Sequence, residues 1–347
     1  MECTMTRGKR LRYQTDLKMD WKNVHVLVTG GGGFIGSHLV EALVQNGARV
    51  RAFVRYNSRG DPGLLSSLSP EIFEKLEIVA GDLRDLPALN SAMQGIEIVF
   101  HLGALIAIPY SYKHPVEVVE SNVIGTLNVL MAGRENGIKR IVHTSSSEVY
   151  GTALKIPIGE DHPLQGQSPY SASKIAADKL AESFYCAYDL PVVTLRPFNT
   201  YGPGQSARAV IPTIITQALT DNVIYLGNLD TLRDFTYVSD TVNGFLCAAM
   251  VPGIDGKTFN LGVGKEARIS ELANEIISLL GKSIEIKVDP VRLRPGKSEV
   301  QRLISDNTLA RENLGWNPQI DLHEGLSRTI KWISEHLDLY RPHLYQI

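Results

Sequence analysis

Short runs of β-branched and other apolar residues alternate, along the first two thirds of the chain, with longer stretches whose apolar positions recur every three or four residues. The runs at Val24–Val28, Arg49–Val54, Leu76–Val79, Ile96–His101, Arg140–Ser145 and Val192–Leu195 have the length and composition of buried strands. Helical periodicity marks Ile35–Gln45, Leu86–Met93, Val116–Glu135 and Ser171–Ala187. Strand and helix patterns in alternation, with short polar breaks, predict right-handed βαβ units and a parallel sheet covered on both faces: an α/β, doubly wound core. From Tyr201 onward glycine and proline recur and the apolar runs shorten, which predicts a smaller mixed α/β lobe. The expected organisation is a large domain over 20–199 plus about 237–263, a smaller lobe over 200–236 and 264–340, and a disordered extension over 1–19. No internal repeat or low-complexity tract is visible.

Composition narrows the class. At 347 residues and 44% hydrophobic content the chain is long enough to bury a core in both parts. A net charge of −2 gives no long-range field for nucleic acid or anionic membrane, and the short basic stretch Arg7–Arg12 reads most simply as part of the extension, with Met19 a candidate start. Cys3, Cys186 and Cys247 are scattered without metal-ligand spacing, the usage expected of a reducing, cytoplasmic compartment, and no metal site is expected. Residues 1–20 lack the apolar core of a signal peptide, and no window approaches 18 uninterrupted apolar residues.

The candidate chemistry lies at the ends of the predicted strands, where doubly wound folds bind ligands. The first strand runs into Gly30-Gly31-Gly32-Gly33-Phe34-Ile35-Gly36, a Gly-x-x-Gly-x-x-Gly spacing that opens onto a helix. Gly30 permits the tight turn, Gly33 lets the backbone approach phosphates, Gly36 permits close helix–strand packing, and the free N–H groups of the helix face an anion. The arrangement suits a dinucleotide pyrophosphate, although a flexible turn carries the same letters. Tyr170 and Lys174 share one helix face, a spacing that also occurs on solvated helices. One crossover earlier, Thr144-Ser145-Ser146-Ser147-Glu148 ends a strand, so that a hydroxyl, a phenol and an ammonium converge beside a nicotinamide.

With these motifs the chain resembles the extended short-chain dehydrogenase/reductase family of nucleotide-sugar epimerases, dehydratases and decarboxylases. The resemblance spans roughly 22–335 and rests on Thr29–His38, Gly81-Asp82-Leu83, His101-Leu102-Gly103-Ala104, Asn122-Val123 with Gly125-Thr126, and Tyr170 with Lys174. It continues through Arg196-Pro197, Asn199, Tyr201-Gly202-Pro203, Arg233-Asp234-Phe235, Tyr237-Val238, Asp240 and Leu314-Gly315-Trp316 with Pro318. It implies a Rossmann fold with a nucleotide-sugar lobe. It also implies a tightly bound, recycled NAD or NADP contacted by Gly30, Gly33, Phe34, Ile35, Gly36, Arg55, Asp82, Leu83, Leu102, Ala104, Asn122, Tyr170, Lys174 and Pro197.

In that family Ser146 and Tyr170 match the pair that engages the sugar hydroxyl at carbon 4, with Lys174 lowering the phenol pKa and holding the nicotinamide ribose. Glu148 stands where 4,6-dehydratases carry the carboxylate that removes the carbon 5 proton; as an isolated residue it would read as a surface group. Ser147 replaces the Asp of dTDP-glucose dehydratases, so a hydroxyl relay takes the place of a carboxylic acid there. The segments 51–58, 145–151, 168–170 and 199–212 look most like UDP-N-acetylglucosamine 4,6-dehydratases of the legionaminic-acid type. The expected reaction is oxidation at carbon 4, elimination across carbons 5 and 6 and hydride return to carbon 6. A UDP-sugar 4-epimerase, a UDP-glucuronate decarboxylase and a nucleotide-sensing protein of the same fold remain alternatives.

At the end of the second strand no carboxylate stands where NAD enzymes bind the ribose; Arg55, with Arg59 in reach, tilts the cofactor toward NADP, or else points to solvent. Asp82 either contacts adenine with Leu83 or caps a turn. For the UDP diphosphate, Arg233 and Arg294 are the natural cationic pair, with Asn199 donating a hydrogen bond, Ile211 lining the base pocket, and Arg208 and Arg302 in reserve; each arginine otherwise serves a surface or bridging ion pair. Val116–Arg134 and Ser171–Tyr188 match helices that form a four-helix interface in this family, so a homodimer is expected.

Overall fold

A computed structural model describes residues 20–342 and residue 344; the extension expected over 1–19 lies outside the described residues. The large sheet has seven strands, all parallel to their neighbours: β1 (His25–Thr29), β2 (Arg49–Arg55), β3 (Glu77–Gly81), β4 (Ile98–His101), β5 (Arg140–Thr144), β6 (Val192–Pro197) and, from further along the chain, β10 (Thr258–Leu261). Their order is β10-β6-β5-β4-β1-β2-β3, so the direction of strand addition reverses between β1 and β4 and opens a crevice above their carboxyl ends. β1, β5 and β6 are almost wholly buried, which explains why their sequences read as continuous apolar runs rather than alternating ones.

Helices α1 (Phe34–Gln45), α2 (Leu86–Met93), α3 (Gly125–Glu135) and α4 (Pro169–Tyr188) cover the sheet. α4 starts two residues earlier than its apolar periodicity indicates. Ser168 caps it by accepting from Ser171 N–H while the Ser171 hydroxyl accepts from Ser168 N–H, and Pro169 takes the first helical position, where no amide hydrogen is needed. The single helix expected over Val116–Glu135 is interrupted: Pro115–Val119 and α3 flank one π turn, Glu120–Ile124. The widened turn carries Asn122, 1% exposed, whose amide accepts from Leu105 N–H and donates to Leu105 C=O and to Ser173 Oγ. These tertiary bonds stabilise a turn that apolar periodicity does not register.

Beyond β6 the chain builds two small sheets. β7 (Asn199–Tyr201), β9 (Leu232–Tyr237) and β11 (Glu266–Arg268) form one, and β8 (Val223–Leu226) with β12 (Glu285–Val288) the other. Helices Val210–Thr220, Ile269–Leu279 and Leu322–Glu335 pack with them, whereas helix Val238–Met250 returns to the large sheet, against α1, β5 and β6. One continuous core runs from Val26 and Leu39 to Ile215, Leu272 and Trp316, which fixes the two parts against each other. Asp234 strengthens the junction: its buried carboxylate accepts from the N–H groups of Val263, Gly264 and Ser305, although burial raises its pKa to about 6.

Candidate active site

The glycine turn above β1 is built from backbone. Gly30 has φ +71°, and a Cβ there would stand 2.8 Å from Gly103 N, so the turn sits directly against the segment leaving β4. A Cβ on Gly36 would meet Gly30 O at 2.2 Å, which is why α1 lies this close to the turn. Gly33 is exposed and is the N-cap of α1; no side chain caps it and no acidic residue occupies the first turn, so the amides of the first helical turn face outward unpaired. A Cβ on Gly33 would meet only Gly30 O, at 3.2 Å. Open space, free donors and a helix N-terminus fit a dinucleotide pyrophosphate. Phe34 and Ile35, the first residues of α1, are half-buried beside it.

The crevice walls are mixed. Leu83 is seated over Gly103 and Gly125, close enough that a Cβ on either would lie 2.8 Å or 2.9 Å from it. Leu102 and Ala104 follow β4 half-buried, and Pro197 ends β6 buried. Asp82 accepts from the guanidinium and the amide of Arg84, whose hydrogen bonds hold the carboxyl below its usual range. Arg55 is exposed and lies 3.4 Å from Glu117, so the guanidinium expected to meet a ribose phosphate has a carboxylate beside it. The amide of Asn122, expected on the cofactor, is instead engaged with Leu105 and Ser173 and braces the wall to α4.

At the end of β5, Ser146 opens a single 3-10 turn, Ser147–Tyr150, its hydroxyl accepting from Glu148 N–H at 3.2 Å and pairing with the Tyr170 phenol. Ser147 is buried, and the Glu148 side chain is 13% exposed at the cleft. Burial pushes the Tyr170 phenol up to about 12; the Ser146 hydrogen bond draws it down and the nearby Glu148 carboxylate adds to the rise. This reverses the direction expected from Lys174. In the chain on its own the Lys174 ammonium is turned to the Thr144 carbonyl, Nζ to O 2.6 Å, and burial lowers its pKa to about 8 against the pull of Asp178.

Arg233 and Arg294 come together from distant segments, as expected, but with carboxylates between them. Arg233 Nη2 lies 3.6 Å from Glu299 Oε1, and Arg294 Nη1 lies 3.9 Å from the same oxygen and 3.8 Å from Glu148 Oε1. These ion pairs are longer than hydrogen bonds, and Arg294 Nη1 is buried without a hydrogen-bond partner, so the cluster keeps donors for a further anion. Asn199 Oδ1, at the start of β7, is likewise buried and unpartnered. The other substrate expectations fare differently. Arg302 is held by both carboxylate oxygens of Glu266 within the small lobe, Arg208 is exposed, and Ile211 is 1% exposed, part of the core.

Sequence reasoning missed Glu299 and Asp178. Glu299 follows Arg294 within one short segment, and only folding brings Arg233 to it. Asp178 extends the Tyr170–Lys174 stripe by one more helical turn, a signal present in the sequence and unread.

The fold is of the Rossmann class, and it brings Ser146, Tyr170 and Lys174 together at the strand ends. Residues 27–329 match the family described as GDP-mannose 4,6 dehydratase. A UDP-glucose 4-epimerase of Mycolicibacterium smegmatis is 36% identical over 89% of this chain and 98% of its own length. Among solved structures, a dTDP-glucose 4,6-dehydratase of Streptomyces venezuelae with NAD bound superposes with TM-score 0.83 at 30% identity, covering 92% of this chain and 99% of that one. A UDP-N-acetylglucosamine 4-epimerase of Methanobrevibacter ruminantium gives TM-score 0.82 at 32% identity, covering 91% and 99%. The chain belongs to the extended short-chain dehydrogenase/reductase family of nucleotide-sugar epimerases and dehydratases, enzymes dependent on NAD(P). Among the described residues no helix is long and apolar enough to cross a membrane.

Proposed function

We propose that the chain is a nucleotide-sugar 4,6-dehydratase whose substrate is UDP-N-acetylglucosamine. The observation that carries the reading is Glu148: a carboxylate at the cleft, on the turn that begins with Ser146 and close enough to Tyr170 to shift its titration. Gly30, Gly33 and Gly36 with the first turn of α1 would hold the cofactor pyrophosphate, and Tyr170 and Lys174 its nicotinamide end. When bound, the nicotinamide supplies the reversible oxidation of the sugar. Tyr170, hydrogen-bonded to Ser146, takes the proton of the carbon 4 hydroxyl as its phenolate, the form that the Lys174 ammonium, turned toward it, and the positive charge of the bound nicotinamide would favour over the buried phenol. The ketone acidifies carbon 5, whose proton Glu148 removes; after exchange with solvent, Glu148 delivers a proton back to carbon 5. The departing carbon 6 hydroxyl needs one proton, equal to the one Tyr170 gained, and Ser147 relays it. Arg233 and Arg294 exchange their long contacts with Glu299 and Glu148 for hydrogen bonds to the diphosphate.

Arg55 supports NADP over NAD, and separate titrations of the pure protein with each cofactor test that choice. The apolar residues Val116, Val119 and Ile124 on the interrupted helix and Tyr185 and Tyr188 on α4 are exposed, which supports a homodimer through these helices; a light-scattering mass of one chain would oppose it. The epimerase reading is favoured by the 36% identical relative. A decarboxylase reading needs a cation for the sugar carboxylate beyond Arg233 and Arg294, which already suit the diphosphate. Incubation with UDP-N-acetylglucosamine in deuterated water separates these. The dehydratase yields a 4-keto-6-deoxy sugar with deuterium at carbon 5; a galacto-configured product overturns the reading in favour of epimerisation, and conversion of UDP-glucuronate alone overturns it in favour of decarboxylation.

A further inference from the structure

Behind the catalytic groups lies a buried polar layer that the reaction above does not use. Asp178 follows Tyr170 and Lys174 along one face of α4 and is 5% exposed. Its Oδ2 accepts from Arg196 Nε at 3.1 Å and Nη2 at 3.0 Å, and its Oδ1 pairs with His143 Nε2 at 3.2 Å. Arg196 also donates to the Tyr150 hydroxyl at 2.8 Å, and Tyr150 donates to Asn260 at 2.7 Å. The layer therefore ties α4 to β5, β6 and β10 and ends on the same 3-10 turn that carries Glu148. His143 precedes Thr144, the residue whose carbonyl holds Lys174, so the carboxylate and the ammonium are anchored on adjacent positions of β5.

We propose that Asp178 is a positioning residue for the active site, a buried counter-charge fixed by Arg196 and His143 that keeps the Lys174 ammonium charged and seated at the end of β5. The charged and titratable groups whose fields reach Lys174 are Asp178 on its own helix, His143 on β5 and His101 on β4, with Tyr170 one helical turn before it on α4. Burial lowers the pKa of both histidines, so they are neutral at pH 7 and add no charge. Arg196 stays charged, bound to the Asp178 carboxylate. Asp178 is thus the group that opposes the burial of Lys174. Removing its charge leaves the ammonium buried without a counter-charge, and Lys174, already drawn down to about 8, gives up its proton nearer neutral pH.

The test is the titration of Lys174 followed by NMR in protein carrying [ε-13C]lysine, with the resonance assigned by its absence in Lys174→Arg. Asp178→Asn is expected to lower that titration by about one unit or more, and Asp178→Glu to restore most of it. Should Asp178→Asn not fold, the double variant Asp178→Asn/Arg196→Met removes the buried pair together and is expected to lower the titration in the same direction. A titration that stays in place in the folded variants overturns the proposal and leaves Asp178 a purely structural residue. The kinetic arm rests on the dehydratase reading: activity of Asp178→Asn falls selectively above pH 7.5 and is close to the parent at pH 6.5, whereas a loss uniform in pH contradicts positioning. Absence of dehydration in the parent, with the NMR shift intact, rejects the functional reading alone.

Discussion

The two halves of the cleft are made differently. The half proposed for the cofactor pyrophosphate is backbone: a turn whose glycines touch Gly103 and Gly30 itself, and a helix end with unpaired amides. The half proposed for the nicotinamide and the sugar is side chain: Ser146 and Glu148 from one strand end, Tyr170 and Lys174 from α4, and Arg233, Arg294 and Glu299 from the smaller lobe. A backbone site is written locally, because each glycine is demanded by its immediate neighbours. A side-chain site depends on which distant charges folding brings within 4 Å, and charge balance, not spacing, decides what it binds. That contrast explains why one Rossmann half serves epimerases and dehydratases alike while the chemistry differs.

The largest effect is expected on the side-chain half. Tyr170→Phe removes the group proposed to take the carbon 4 proton and should lower kcat by about 10²–10⁴-fold, read in steady-state turnover, with cofactor binding retained. On the backbone half, Gly36→Ala forces a Cβ against Gly30 O and should destabilise the fold by about 1–3 kcal/mol as well as weaken the cofactor. Gly33→Ala has no such clash within the chain and should weaken the cofactor while leaving the melting temperature in place. Equal destabilisation by both variants would erase the distinction between packing and phosphate approach. Arg294→Ala should raise the nucleotide-sugar KM about 10- to 100-fold with little change in cofactor affinity, through loss of charge-assisted hydrogen bonds to the diphosphate. Unchanged kinetics would remove Arg294 from the site. The smallest effect is expected from Glu299→Gln, a KM change of only a few-fold, because the glutamate neutralises the arginines without hydrogen-bonding them.

Six of the seven strands of the large sheet and helices α1 to α4 were legible because buried β-branched runs and helical apolar periodicity are local signals; the four-residue β10 and the helix Val238–Met250 were not. The π turn at Glu120–Ile124 was not, since apolar periodicity continues through it and its stabilising partners, Leu105 and Ser173, lie on other elements. Gly30, Glu148 and Tyr170 were read as site candidates from motif and resemblance. The direction of the Tyr170 titration was not legible, because it depends on how deeply the phenol is buried and on where the Lys174 ammonium points. The ion pairing of Arg294 with both Glu148 and Glu299 likewise exists only in three dimensions.

The central claim is that the Glu148 carboxylate removes the carbon 5 proton of a transient 4-ketone. Glu148→Gln, loaded with cofactor and incubated with UDP-N-acetylglucosamine in deuterated water, should lose deuterium incorporation at carbon 5 together with formation of the 4-keto-6-deoxy product. A variant that forms that product as fast as the parent would contradict the account.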